Sequence, residues 1–183
     1  GAMRCLSVGG ADAAVRTLVR SVHRVAARAP GYDLSHSEPA IPFSIFVSIP
    51  AGELYGAMRV AESLLHEAMH LQLTLIERYA PLTTGEGEAY SPWQQCARPI
   101  QGILHGLYVF GAIDDWLSLC AALPFATDEA CAYAHRRQTE IAEEVADVAD
   151  VQHSAGLTTF GAGFAGALLA RFAQKVTTSS YIS

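Results

Sequence analysis

The chain has 183 residues, 51% of them hydrophobic and 16% charged, which fits one globular domain with a substantial core and excludes a disordered tail or linker. A formal charge of -6 at pH 7 supplies no general attraction for phosphate backbones or anionic lipid, so nucleic acid is not an expected partner. The longest uncharged stretch, 154–170, is broken by Thr158, Thr159 and glycines and falls short of the ~20 apolar residues that span a bilayer; no membrane association is expected.

Residues 11–28 place Val15, Leu18, Val19, Val22 and Val25 at three- and four-residue spacing before Pro30-Gly31, the pattern of an amphipathic helix with a stop signal. Arg16, Arg20, Arg24 and Arg28 form its outer stripe, read as a solvated face. Residues 43–49, Phe-Ser-Ile-Phe-Val-Ser-Ile between Pro42 and Pro50, read as a strand. Its pairing partner is expected within the chain.

From Glu53 to Tyr79 the pattern is helical, with Leu54, Met58, Ala61, Leu65, Ala68 and Leu75 on one face and Pro81 closing it. Residues 82–97 read as loop. Pro99 suits the first turn of a helix running to about Ala122. Thr127 caps a third long helix that carries the charged run to Asp150, and a last one covers 158–174 with Gly161, Gly163 and Gly166 as places for close helix approach. No repeat of 20–50 residues appears, which removes solenoids and propellers. The expected fold is mainly α, a single helical domain over 3–183 with a small β element near 43–49 and a metal site between two helices. Gly1-Ala2 before Met3 reads as the remnant of a cleaved tag.

Cys5, Cys96, Cys120 and Cys131 lie far apart with no CxxC pair, and nothing like a secretory leader precedes them. A reduced, cytoplasmic protein is the expectation.

The chemistry concentrates at His66-Glu67-Ala68-Met69-His70. On a helix, histidines four apart project from one face and can reach the same metal ion, while Glu67 lies to the side, where it can orient or deprotonate a bound water. With this composition an HExxH pattern arises by chance roughly 0.02 times per chain. Two histidines need a third protein ligand. The extended zinc-binding pattern with glycine and histidine further on is excluded, because those places hold Leu73 and Ile76. Glu86 and Glu88 follow in a glycine-containing loop and are weaker candidates than His105, which stands mid-helix among apolar neighbours.

Arg98 lies seven residues before His105, two helical turns or about 10 Å, a distance suited to gripping the far carboxylate of a short dicarboxylic acid that chelates the metal. Gln101 and Tyr108 point roughly the same way as His105. Phe46 and Trp93 are candidates for an apolar substrate wall. Asp114, Asp115, Glu140, Glu143 and Glu144 are read as helix-surface charge.

Leu-Leu-His-Glu-Ala-Met-His-Leu at 64–71, Ser-Pro-Trp at 91–93 and Arg-Pro-Ile-Gln-Gly-Ile-Leu-His-Gly-Leu-Tyr-Val-Phe at 98–110 together resemble the HExxH-type peptide-modification proteins of ribosomal peptide natural-product pathways. These are similar to iron- and 2-oxoglutarate-dependent peptide β-hydroxylases. The likeness covers about 60–120 closely and the C-terminal helices more loosely. It implies Fe(II) on His66, His70 and His105, 2-oxoglutarate as cosubstrate, and hydroxylation of a side-chain β-carbon in a precursor peptide, the expected partner. In the family an arginine commonly follows Pro-Trp; here Gln94 stands there, so if that arginine binds the cosubstrate, either Arg98 suffices for it or this protein is altered in its cosubstrate use.

Two other readings stand beside it. One is a zinc metallopeptidase with Glu67 as general base and the same three histidines as zinc ligands. The other is a non-catalytic helical binding module with a vestigial metal site. A homodimer is left open.

Overall fold

The computed structural model describes residues 1–26, 33–38, 40–49, 55–124 and 126–180. The chain is mainly helical, with six α-helices and five short strands among these residues. In order they are α1 (Ala2–Leu6), α2 (Ala11–Leu18), β1 (Ser21–Val25), β2 (Ser35–Ser37), β3 (Ser44–Ser48), α3 (Gly56–Glu77), β4 (Glu88–Ser91), β5 (Cys96–Pro99), α4 (Ile100–Ala121), α5 (Asp128–Ala146) and α6 (Thr159–Ser180), with 3₁₀ turns at Val8–Gly10 and Ala149–His153. Arg28, the Pro30-Gly31 stop, Pro50 and the Glu53–Leu54 helix start lie outside the described residues.

The chain divides into two compact units, one of 1–72 with 112–138 and the other of 73–111 with 139–183; α3, α4 and α5 contribute residues to both.

In the first unit the helix expected over 11–28 stops at Leu18, and 21–25 is strand β1. β1 lies parallel to β3 in the register Val22 to Ile45 and Arg24 to Val47, and β2 pairs antiparallel on β3's other side. The three- and four-residue valine spacing is outweighed here by pairing with a buried central strand, which favours β-branched residues. The arginine stripe is broken with it: Arg16 stays on α2 and bonds Asp12 at 3.3 Å, whereas Arg20 and Arg24 leave the helix.

β3 begins at Ser44, one residue later than expected, because Phe43 adopts a left-handed φ of 62° that ends extended pairing. Its partner is intramolecular, as expected. Ile45 and Val47 are buried on one face, and the period of two puts Phe46 on the other. Trp116 of α4 donates its indole N–H to the carbonyl of Cys5 at 3.1 Å, anchoring the N-terminal helix.

α3 realises the apolar stripe read from the sequence: Met58, Ala61, Leu65 and Ala68 are all buried. α5 starts where Thr127 predicts, its hydroxyl accepting the N–H of Ala130 at 3.2 Å. It ends at Ala146, before the expected Asp150. Asp114, expected on the surface, is buried; Gln138 of α5 donates to its Oδ1 at 2.9 Å and to Ser118 Oγ at 2.8 Å, which gives the carboxylate a protein partner in place of water.

The second unit holds the β4–β5 hairpin where a loop was expected. Ser91 and Cys96 close a four-residue connection whose last residue, Gln95, takes φ 52° and donates its N–H to Ser91 at 2.7 Å. α4 begins just after it. Beyond α3, Thr84 donates its N–H to Gly156 at 2.9 Å and Thr158 its N–H to Leu82 at 3.0 Å. The α6 glycines do not serve helix–helix approach: a Cβ on Gly161 would collide with the Leu82 carbonyl, one on Gly163 would meet nothing within 4 Å, and one on Gly166 would meet Gln152.

Candidate functional site

His66 and His70 sit one turn apart on α3, their Nε2 atoms 3.1 Å apart and their rings edge to face. This is the convergence that the i, i+4 spacing predicts. Desolvation of the His66 ring, reinforced by the Arg137 charge, pushes its pKa down to about 4, so the imidazole is neutral, the form that binds metal. Two nitrogen ligands about 2.1 Å from one ion and at right angles stand about 3.0 Å apart. The pair therefore fits a metal ion by donor type and by spacing.

Glu67, rotated from that face, is buried and turned toward the sheet. Ser35 of β2 donates its hydroxyl to Glu67 Oε1 at 2.9 Å. Burial raises the carboxyl's pKa, opposed chiefly by hydrogen bonds from Ser35 and Ser37. The alternation along β2 brings both serines to the helix side and leaves His36 on the other.

On that other side, Phe46 lies between His23 of β1 and His36 of β2, its direct neighbours across both ladders, with ring centroids 4.8 and 5.0 Å away and nearly parallel planes. Flanking strands supply one histidine from each side. The flat wall expected of Phe46 is accordingly taken up by imidazoles, and its edge is what remains.

His105, on α4, places Nε2 3.0 Å from Glu77 Oε2, and Gln101, one turn earlier, donates to the same oxygen at 2.8 Å. Glu77 was not singled out from the sequence, where it stands at the end of a helical pattern beside a loop. A usable signal was present: it is seven residues, two turns, after His70.

Arg98 is exposed and belongs to strand β5, opposite Ala89. The two-turn helical argument for its distance from His105 does not hold, because α4 starts at Ile100; the side chain instead runs along Gly102, whose Cβ position is 3.7 Å from Arg98 Nε. Trp93, in the hairpin connection, stacks on Phe110 at 5.3 Å and covers Gly106, next to His105. Its buried indole Nε1 has no hydrogen-bond partner among the described residues. Gln94 is exposed. Tyr108 packs against Phe164 of α6 at 5.7 Å, and burial raises its phenol pKa.

Among the described residues no group of three or more His, Cys, Asp and Glu side chains that could hold a metal ion is assembled, so the third donor rests on the sequence reading. No helix among them is long and apolar enough to cross a membrane. No protein-family model matches the chain, and no curated protein matches it.

Proposed function

We propose that the chain is an Fe(II)- and 2-oxoglutarate-dependent dioxygenase that hydroxylates a side-chain β-carbon of a ribosomally made precursor peptide. The observation that carries this reading is the His66–His70 pair, two imidazoles on adjacent turns of α3 converging at 3.1 Å. His66, His70 and His105 would hold the iron, imidazole being a donor that suits this metal. When bound, iron with 2-oxoglutarate and O₂ supplies the oxidising power to break an unactivated C–H bond.

The chain's own residues bind, orient and brace. Arg98 offers a planar fork to the far carboxylate of the cosubstrate, with Gln101 and Tyr108 as further polar groups of the same unit. Glu67, whose carboxyl accepts from Ser35, braces the histidine-bearing helix against the sheet. Trp93 and the edge of Phe46 supply apolar surface for the peptide. Four thiols that form no disulfide suit a reducing, cytoplasmic setting.

The test is anaerobic. Apoprotein loaded with Fe(II) and titrated with 2-oxoglutarate should develop a weak visible charge-transfer band that saturates, and His66→Ala, His105→Ala and Arg98→Ala should each lose or weaken it. No band, together with tight zinc retention and peptide cleavage that needs Glu67, would replace the proposal with a zinc peptidase; neither signal would leave a binding module.

A further inference from the structure

β1 stands at one edge of the three-stranded sheet, whose order is β1-β3-β2. Ser21 donates its N–H toward the carbonyl of Phe43 at 3.5 Å. Alternate residues of a parallel strand bond the same neighbour, so His23 and Val25 also turn their backbone groups to β3, while Val22 and Arg24 direct N–H and C=O outward. A row of this kind is where a further strand can add. The side chains of the same two residues share one face and continue the row of Ile45 and Val47 to the sheet margin. Ile45 and Val47 are buried there, whereas Val22 is 50% exposed.

Charge narrows what fits this edge. Arg20 and Arg24, both exposed, flank Val22, four residues or about 13 Å apart along an extended chain. Among the described residues neither has a carboxylate partner, in contrast to Arg16, Arg59 and Arg137, which meet Asp12, Asp33 and Glu62. In a chain of formal charge -6 the result is a local cationic edge with an apolar centre. A second copy of the chain would bring four such guanidiniums into one interface, and like charges facing each other across strands repel. An anionic strand would neutralise them.

We propose that β1 docks an extended acidic segment of the peptide substrate as a fourth strand, an apolar residue covering Val22 and carboxylates two residues to either side of it meeting Arg20 and Arg24. The inference rests on the proposed peptide substrate. The added strand lies three strand spacings, about 14 Å, from β2, whose Ser35 bonds Glu67 beside His66. The segment that docks is therefore separate from the residue that reacts.

Fluorescence anisotropy of the full chain with a fluorescein-labelled synthetic peptide, Glu-Thr-Val-Thr-Glu between Gly-Ser flanks, tests it. Binding should saturate, weaken about two- to fivefold in each of Arg20→Ala and Arg24→Ala, as exposed ion pairs allow, and vanish in the double variant Arg20→Glu, Arg24→Glu, with circular dichroism checking the fold. Backbone N-methylation separates strand addition from charge attraction: methyl groups on one alternate set of peptide amides should abolish binding, and on the other set should leave it intact.

Equal binding of the two methylated peptides, or of a scrambled peptide of the same composition, would overturn the proposal in favour of unspecific attraction. No binding would leave the arginines as charges that keep an edge strand from aggregating. Self-association abolished by Val22→Asp would assign the edge to a second copy. The charge-transfer band of iron with 2-oxoglutarate is read without peptide, so the two readings fail separately: a band without peptide binding removes the docking edge alone, and docking without a band keeps the edge in an acidic-peptide binding module.

Discussion

Tyr133 donates its hydroxyl to Glu62 Oε2 at 2.6 Å. Arg137 grips the other oxygen of Glu62 at 2.9 and 3.0 Å, so one carboxylate of α3 is held by two residues a turn apart on α5. Hydrogen bonds to a charged group contribute about 1.5–3 kcal/mol each. Tyr133→Phe should therefore lower the unfolding free energy by about 1.5–3 kcal/mol, measured by urea denaturation at neutral pH. A loss under about 0.5 kcal/mol would mean that Arg137 alone holds Glu62.

The same contact has a pH signature. Burial first, and then the Glu62 charge, push the Tyr133 phenol well above its ordinary value. An acid whose pKa is raised on folding loses its proton more readily when unfolded, so the stability it contributes is full below about pH 10 and is lost as pH rises beyond that. Stability should fall above pH 10 more steeply in wild type than in Tyr133→Phe. Equal slopes would remove Tyr133 from the alkaline transition.

Gly106 lets Trp93 lie flat on α4. A Cβ at that position would run into the indole ring, which is held by stacking on Phe110. Gly106→Ala gains up to about 1 kcal/mol of helix propensity but must displace the ring, and overpacking costs about 1–3 kcal/mol. The expected net is destabilisation with a shift in tryptophan emission. In a double-mutant cycle Gly106→Ala should become neutral or stabilising on a Trp93→Ala background; additivity of the two changes would show that no collision occurs.

Thr158 joins α6 to the segment after α3. Its hydroxyl accepts the N–H of Gly161 at 3.0 Å and donates to the carbonyl of Pro81 at 2.9 Å. Thr158→Ala should cost about 1–2 kcal/mol, while Thr158→Ser, which keeps both bonds, should cost much less. Thermal unfolding of the two variants decides the matter: equal losses would assign the effect to the methyl group.

The four thiols differ sharply in environment. Cys96 is exposed, whereas Cys120 is buried and its pKa is pushed up to about 11, by desolvation and then by Cys5. The thiolate is the reactive form. Iodoacetamide at neutral pH followed by peptide mass spectrometry should label Cys96 first and leave Cys120 unmodified until the protein unfolds. Early labelling of Cys120 would contradict its burial.

Much of the helical framework was legible because it is local. Met58, Ala61, Leu65 and Ala68 recur at helical spacing and are buried as that spacing implies, and the hydroxyls of Thr127 and Thr158 mark helix starts through bonds three residues long. The meeting of His66 and His70 is likewise a property of one helix turn. Strand β1 was misread because Ser21–Val25 satisfies a helical valine spacing on its own and becomes extended only when paired with Ile45 and Val47. The β4–β5 hairpin was missed for the same kind of reason: Glu88–Ser91 and Cys96–Pro99 carry no apolar alternation to announce them.

What the sequence determined by itself is the set of contacts made within a helical turn: the histidine pair, the caps and the apolar stripes, since backbone geometry alone brings those residues together. Only the tertiary structure decided that Glu67 faces Ser35, that Phe46 lies between two histidines and that Glu77 takes the Nε2 side of His105. Each of those pairs is separated by ten or more residues, and whether they meet depends on strand register and on which faces the helices bury, which no local spacing encodes.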